Sequence, residues 1–223
     1  KPDRIAAYGY AHLPERFKAQ RQIDKYDLPD ATTRLTLLQS CVSMLTAAGY
    51  VHIGVDHFAL PGDDLAQALV NGTLQRNFQG YSTHAACDLI GFGMSAISRI
   101  GSGFSQNAKD LPGYYMALDH GRLPVARGRR LSEDDLLRAD LIQRLMCGGV
   151  LDIPSFEARH PVEFARYFRQ SLARLQPLVD DGLVTCTSQR IETTARGQLL
   201  LRNIAQCFDA YIEGSDNRYS RAV

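Results

Sequence analysis

The sequence lacks an excess of one charge and a long apolar run, and each absence excludes a class of protein. Lys plus Arg number 25 and Asp plus Glu number 24, so the formal net charge is +1. A chain this close to neutral has no global field to attract nucleic acid or an anionic membrane, and we expect any anion site to be local. No apolar run approaches the roughly 20 residues of a membrane span, so we predict no membrane segment.

Paired cysteines are also missing. The five cysteines are scattered, and the nearest two, Cys186 and Cys207, are 21 positions apart. Without a C-x-x-C pair or an iron–sulfur run we predict no metal site in this chain, and we expect reduced thiols in a cytoplasmic protein. The chain begins with Lys1, and no basic region precedes an apolar run. We therefore expect no signal peptide and a natural start further upstream.

The first half of the sequence predicts strands around one helix. Residues 5–10 and 51–55 have strand patterns, and a helix between them begins at Asp30 and ends near Ala48. Strand, helix and strand in this order predict a parallel βαβ unit. We expect a loop over residues 71–83 and, because of its alternating glycines, a crowded strand over residues 89–98.

The second half predicts helices followed by a hairpin. A capping box at residues 132–135 begins the first helix, two more helices follow up to residue 175, and strands over residues 183–186 and 190–193 form the hairpin. Thr194 begins a last helix, and residues 213–223 form a polar end.

This order is that of a winged helix, and it leaves two alternatives open. A nucleic-acid-binding module would place Arg166, Arg169 and Arg174 in a groove. We favour a solvated helix packed on a neighbouring domain, since Glu163 and the pair Asp180-Asp181 offset the positive charge.

Several polar groups follow the predicted strands of the first half. If the strands belong to a barrel, functional groups are expected at the C-terminal ends of the strands, and Asp56 and His57 are candidates by their position. Phe78 has the chemistry to stack on a flat ring, Gln79 to hydrogen-bond a ligand and Arg76 to pair with a carboxylate. Structural roles explain each of them as well. No Ser-His-Asp order, Walker loop or H-E-x-x-H motif is present.

Four segments of the sequence are specific enough to be compared with the motifs of known enzyme families. They are Tyr-Ala-His-Leu-Pro at 10–14, Gly-Val-Asp-His-Phe-Ala at 54–59, Arg-Asn-Phe-Gln-Gly-Tyr-Ser-Thr at 76–83, and Asp-Leu-Ile-Gly-Phe-Gly-Met-Ser-Ala-Ile-Ser at 88–98. Looser matches continue at residues 181–184, 194–197, 202–204 and 207–209. Together they resemble the oxygen-independent coproporphyrinogen III oxidase family of radical S-adenosylmethionine enzymes.

The resemblance implies an α/β fold in two parts. Residues 1–130 would form the C-terminal part of a partial radical S-adenosylmethionine α/β barrel, and residues 131–223 a mostly helical, winged-helix-like domain. Members of the family decarboxylate two propionates of coproporphyrinogen III to vinyl groups with a 5′-deoxyadenosyl radical. Their [4Fe–4S] cluster lies on a C-x-x-x-C-x-x-C loop that these 223 residues do not contain. We expect the missing N-terminal half to hold it, and this chain alone to be inactive.

The motifs also imply contact residues for two S-adenosylmethionine molecules. Ala11 would lie beside one molecule, Ile97 beside both, and Phe78 and Gln79 against the second. We expect the four to gather around a common cavity. For the substrate propionates Arg76 is the best candidate, and the arginines of residues 127–130 are weaker ones. No catalytic residue is expected within this chain.

The implied partners are coproporphyrinogen III and an unidentified electron donor, and we expect no nucleic-acid or membrane partner. We expect a cytoplasmic enzyme that is monomeric at full length. Two alternatives remain. One is a related radical S-adenosylmethionine enzyme acting on haem or another porphyrin, and the more distant one is the winged-helix nucleic-acid-binding protein.

Overall fold

The computed structural model describes residues 1–85 and 87–212. These residues contain four small antiparallel sheets and eight α-helices. The strands are β1 (Arg4–Ala6), β2 (Val51–Gly54), β3 (His57–Ala59), β4 (Gln75–Asn77), β5 (Gly80–Ser82), β6 (Ile97–Ile100), β7 (Gly103–Asn107), β8 (Val125–Arg130), β9 (Val150–Asp152), β10 (Val184–Cys186) and β11 (Arg190–Thr193). The helices are α1 (Ala31–Ala47), α2 (Asp64–Val70), α3 (Leu111–Asp119), α4 (Glu133–Gly148), α5 (Ile153–Arg159), α6 (Phe164–Tyr167), α7 (Arg169–Asp180) and α8 (Leu201–Gln206).

Two helix starts follow directly from local side-chain chemistry. The Asp30 carboxylate accepts the Thr33 N–H at 2.7 Å and begins α1. At the start of α4 the Ser132 hydroxyl accepts the Asp135 N–H at 3.1 Å, while the Asp135 carboxylate accepts the Ser132 N–H at 2.9 Å. Both pairs satisfy amide groups that have no partner within the helix. The predicted starts of these two helices are confirmed.

The parallel βαβ unit was wrong. β1 and β2 do run in the same direction, but β3 lies between them and pairs antiparallel with both. The chain reverses after β2 in a two-residue turn at Val55 and Asp56, where Val55 has φ +49°. A β-branched residue is rare in this left-handed region. The sequence therefore contains no ordinary turn signal at the point where the third strand begins.

Two further segments differ from the prediction. Residues 71–83 are not a loop throughout, because β4 and β5 form a hairpin around Phe78 and Gln79. Residues 89–98 are not one strand: regular pairing begins only at Ile97, and before it Leu89 forms an isolated bridge with Arg99. Gly93 adopts φ +96°, a conformation that interrupts a regular strand.

The second half folds in the predicted order, but two of its predicted helices are interrupted. The hairpin of β10 and β11 is present, and β9 joins it as a third strand. The predicted third helix is divided at Phe168 into α6 and α7. The Thr194 hydroxyl accepts the Gly197 N–H at 3.1 Å, but the predicted last helix does not begin there: a 3₁₀ turn, Gly197–Leu200, comes first, and α8 follows it. The predicted polar end at residues 213–223 lies outside the described residues.

Apolar clusters lie in the first half (residues 1–130) and in the second half (residues 131–223), and two of the clusters also connect the halves. The largest one contains only residues between 137 and 208, and Phe156, Phe164, Phe168 and Phe208 lie at its centre, each at most 2% exposed. A smaller cluster joins the β2–β3 region to α2, β5 and Cys147 of α4. The halves meet where the Tyr81 hydroxyl donates to the Met146 carbonyl at 2.7 Å. Within residues 1–85 and 87–212 no helix combines the length and apolar character that crossing a membrane requires.

Gly197 tests how closely the hairpin packs against the 3₁₀ turn. A Cβ built on Gly197 overlaps the Leu183 carbonyl oxygen, which is backbone and cannot rotate away. We expect Gly197→Ala to lower the free energy of unfolding by about 3 kcal/mol, measured by urea denaturation. The matched control is Gly148→Ala, whose Cβ meets nothing within 4 Å and which we expect to be neutral or stabilising by up to about 1 kcal/mol. Equal stability of the two variants would contradict this packing.

Candidate functional site

A cavity of about 990 Å³ lies between the two halves of the chain. Residues 7–16 form one wall, α1 contributes Arg34 and Leu38, and the β2–β3 turn contributes Val55 and Asp56. The opposite wall comes from the C-terminal half at Leu201 and its neighbours. This volume lies at the upper end of the range for small-molecule sites.

Gln20 fixes the loop that carries Ala11. Its side-chain oxygen accepts the Leu13 N–H at 2.5 Å, and its side-chain nitrogen donates to the Ala11 carbonyl at 3.1 Å. Ala11 itself is exposed and lines the cavity. One side chain therefore holds two backbone groups of an otherwise irregular segment, which gives Ala11 a defined position at the cavity wall.

Asp56 connects three parts of the structure at the edge of this cavity. It is 9% exposed. One carboxylate oxygen accepts the His57 Nδ1–H at 2.7 Å, and the other lies 3.3 Å from the Arg202 guanidinium of α8. The Asp56 carbonyl also accepts the Ala7 N–H at 2.7 Å. The buried charge is thus partnered by both halves of the chain, as a buried carboxylate requires.

His57 in turn positions the β4–β5 hairpin. Gly80 has φ +132°, and a Cβ on it would lie 2.8 Å from His57 Nε2. The His57 ring also meets the Tyr81 ring edge-on, with centroids 5.3 Å apart. Burial raises the pKa of Tyr81 above its usual value, so the phenol stays neutral and donates to Met146. The glycine of the Phe-Gln-Gly-Tyr segment is needed because an imidazole fills the space beside it.

Phe78 and Gln79 form the exposed tip of this hairpin. Phe78 is 54% exposed. Its ring packs edge-on against Phe104 of β7, with centroids 5.3 Å apart. Ile97 is half-buried on β6, the strand next to β7. A Cβ on Gly91 would lie 2.7 Å from the Ile97 carbonyl oxygen, which explains the glycine and confirms the expected backbone crowding in this segment.

Arg76 lies at the junction of the two halves. It is half-buried, and its guanidinium carbon lies 5.5 Å from the centre of the Tyr81 ring. Cys147 of α4 is near enough for the Arg76 charge to act on its thiol, although burial dominates and raises the pKa of Cys147 to about 12. This thiol stays protonated at neutral pH. A substrate contact by Arg76 stays a prediction.

The predicted site residues do not line one cavity. Ala11 lines the cavity between the halves, and Phe78, Gln79 and Ile97 are not among its lining residues. β6, β7 and β8 form one antiparallel sheet, the β6–β8 sheet; Ile97 belongs to it, and Phe78 packs against it at Phe104. Sequence reasoning missed Gln20 and Arg202, whose contacts span 9 and 146 positions along the chain. Such spacings leave no local pattern to detect.

The described residues do not fit an iron–sulfur cluster. In residues 1–85 and 87–212 no group of three or more His, Cys, Asp or Glu side chains is placed to hold a metal ion. All five cysteines are free thiols, and Cys147 and Cys207 are buried.

Comparison with known proteins gives consistent matches. The family model described as the HemN C-terminal domain matches residues 131–200. The oxygen-independent coproporphyrinogen III oxidase of Salmonella typhimurium is 48% identical over 224 residues, covering 100% of this chain and 49% of that protein. The enzyme of the same name from Thermostichus vulcanus is 43% identical and covers 100% of this chain and 69% of that protein. The chain belongs to the oxygen-independent coproporphyrinogen III oxidase family.

A solved structure of a family member agrees with the fold. It is described as coproporphyrinogen III oxidase (HemN) from Escherichia coli, a radical SAM enzyme. The TM-score is 0.90 at 46% identity, over 95% of this chain and 49% of that one. The chain spans about half the length of most of the curated relatives of the family that it matches.

A double-mutant cycle tests whether Asp56 couples the two halves. We expect Asp56→Ala to lower the free energy of unfolding by about 1–3 kcal/mol, because His57 and Arg202 both lose an acceptor. Combined with Arg202→Ala, the coupling energy should be about 0.5–1 kcal/mol, reduced because the Arg202 side chain is 45% exposed.

The control cycle pairs Arg202→Ala with Asp64→Ala, an exposed carboxylate on α2, and should be additive within about 0.3–0.5 kcal/mol. Urea unfolding at one pH gives all the values. Additivity of the Asp56 and Arg202 substitutions would show that their contact does not connect the halves.

Proposed function

We propose that this chain is the C-terminal portion of an enzyme that converts coproporphyrinogen III to protoporphyrinogen IX without oxygen. In this reaction each of two propionates loses a hydrogen atom, carbon dioxide and one electron, and a vinyl group remains. The observation that carries the proposal is the agreement of sequence and fold from end to end, 46% identity and a TM-score of 0.90 over 95% of the chain. Agreement in one domain alone would support only a shared fold.

The proposal includes two structural parts. Residues 1–130 would be the C-terminal part of a partial α/β barrel, and residues 131–223 a winged-helix-like domain. Two observations support a boundary at this point. The HemN C-terminal family model begins its match at residue 131, and the larger apolar cluster contains only residues from Leu137 onward.

The proposed cofactor is S-adenosylmethionine, of which two molecules would bind. When bound with the cluster, it supplies the 5′-deoxyadenosyl radical that removes hydrogen from the propionates. The large cavity beside Ala11 and the exposed tip at Phe78 and Gln79 suit a ligand with a flat base and polar groups. Ile97 would add an apolar contact, which excludes water and competing hydrogen donors. The [4Fe–4S] cluster would be held outside this chain, since the described residues do not fit it.

The remaining partners belong to the same proposal. The substrate would be coproporphyrinogen III, and a separate electron donor would serve the cluster. We place the enzyme in the cytoplasm, as a monomer at full length, without a membrane or nucleic-acid partner. The near balance of 25 basic and 24 acidic residues supports the last point.

A chimera tests the proposed function. The chain replaces the corresponding half of the Escherichia coli relative, to which it is 46% identical over its whole length. We expect the purified chimera, loaded with cluster under anaerobic conditions, to form protoporphyrinogen from coproporphyrinogen, measured as protoporphyrin fluorescence after oxidation.

Replacing the cluster-loop cysteines of the Escherichia coli half by serine gives the matched control and should abolish product. A folded, cluster-loaded chimera that leaves coproporphyrinogen unchanged would refute the proposal. If haem instead yields an opened or altered tetrapyrrole, the activity is that of the related radical S-adenosylmethionine enzyme.

Phe78 tests the predicted cofactor contact. In the same chimera we expect Phe78→Ala to weaken S-adenosylmethionine binding about 10-fold, since the flat base of the cofactor loses the exposed ring on which it would stack. Equilibrium dialysis measures the affinity directly. Tyr115→Ala on α3 is the control, because Tyr115 is 56% exposed against 54% for Phe78 and should leave binding unchanged. Equal affinities of Phe78→Ala and the parent chimera would rule out the contact.

A further inference from the structure

Two rows of directly opposed residues cross the β6–β8 sheet. One row is Arg99, Phe104 and Arg129, and the other is Ile97, Gln106 and Arg127. Directly opposed residues of antiparallel strands project to the same side, so both rows share one face, which we call the arginine face. Arg130 is opposed to Gly103 and projects to the other side of the sheet.

The guanidinium groups of this face have aromatic and amide partners. Arg127 Nε donates to the Gln106 side-chain oxygen at 2.8 Å, and the Arg99 guanidinium carbon lies 5.8 Å from the centre of the Phe104 ring. Among residues 1–85 and 87–212, neither arginine forms an ion pair with a carboxylate. Both charges therefore remain available to an anion.

Arg129 is held above an aromatic ring. Its guanidinium carbon lies 4.2 Å from the centre of the Tyr211 ring, and the Tyr211 hydroxyl donates to Asp135 at 2.6 Å. That hydrogen bond is the main reason that the pKa of Asp135 is lowered, with a smaller contribution from Arg129. Stacking fixes the plane of the guanidinium and leaves its edge for a carboxylate.

Aromatic surface lies at the centre of the arginine face. Phe104 stands between Arg99 and Arg129, which are two strands apart and hence separated by roughly 10 Å. Phe78, at the tip of the β4–β5 hairpin, packs against Phe104. Charged groups flanking an apolar centre match a ring system that carries carboxylates around its edge.

We propose that the arginine face binds the substrate through the two propionates that the reaction leaves intact. The inference rests on the proposed function. The carboxylate of a reacting propionate leaves as neutral carbon dioxide. A guanidinium bound to that carboxylate therefore lowers the free energy of the ground state more than that of the transition state and slows the step. Retained propionates carry no such penalty. Arg99 and Arg129 therefore suit the two carboxylates that persist in the product, with Arg127 beside them.

Binding of coproporphyrin III, the oxidised and fluorescent form of the substrate, tests this assignment in the chimera. We expect the double variant Arg99→Gln/Arg129→Gln to weaken coproporphyrin binding at least about 10-fold, measured by porphyrin fluorescence anisotropy. In the activity assay the KM for coproporphyrinogen should rise by a similar factor while kcat changes little. Arg122→Gln, an exposed arginine outside the sheet, is the matched control and should change neither value.

Two further measurements separate a propionate site from a general anion site. The tetramethyl ester of coproporphyrin, which has no carboxylates, should bind the parent chimera at least about 10-fold more weakly than the acid. Inorganic phosphate at millimolar concentration should not displace coproporphyrin. Circular dichroism and urea unfolding confirm that the variants are folded.

The outcomes distinguish the inference from the proposed function. An active chimera whose coproporphyrin affinity is unchanged in the double variant, or falls equally in Arg122→Gln, overturns the inference and leaves the proposed function intact. Displacement by phosphate, or equal binding of the ester and the acid, also overturns it. A folded, cluster-loaded parent chimera that neither binds coproporphyrin nor forms product overturns the proposed function, and the inference with it.

Discussion

The buried carboxylate of Asp56 is the constraint on which the arrangement of the site depends. A charge that is 9% exposed needs partners, and the structure supplies His57 from the same turn and Arg202 from α8. His57 then determines the space beside Gly80, and so the position of the hairpin tip with Phe78. One carboxylate at the edge of the cavity therefore contacts the C-terminal half directly and the hairpin through His57.

Local patterns predicted the parts of the fold that depend on local chemistry. Asp30 and Ser132 begin their helices because their side chains accept nearby backbone N–H groups. The hairpin of the second half follows from two short strand-like segments on either side of a polar turn. The motifs were more specific still, because they indicated a family that the comparisons then showed. Contact roles at Ala11, Phe78, Gln79 and Ile97 came from that resemblance alone.

Long-range geometry was not predictable. The β2–β3 reversal occurs at Val55, a residue type that disfavours the conformation it adopts, so the expected parallel sheet was replaced by an antiparallel one. Gln20 and Arg202 act through partners far along the chain or within irregular loops. The arginine face emerges only when the registers of three strands are known, since alternate residues on one strand point to opposite sides.

The strand order β1-β3-β2 also has a consequence for how the chain folds. β2 and β3 are joined by two residues, whereas β1 must reach β3 across about fifty positions that include all of α1. Closing the longer loop loses more chain entropy, so we expect the local hairpin to form before β1 pairs with β3. The segment that carries Ala11 follows β1 directly, so we expect its wall of the cavity to be completed late in folding.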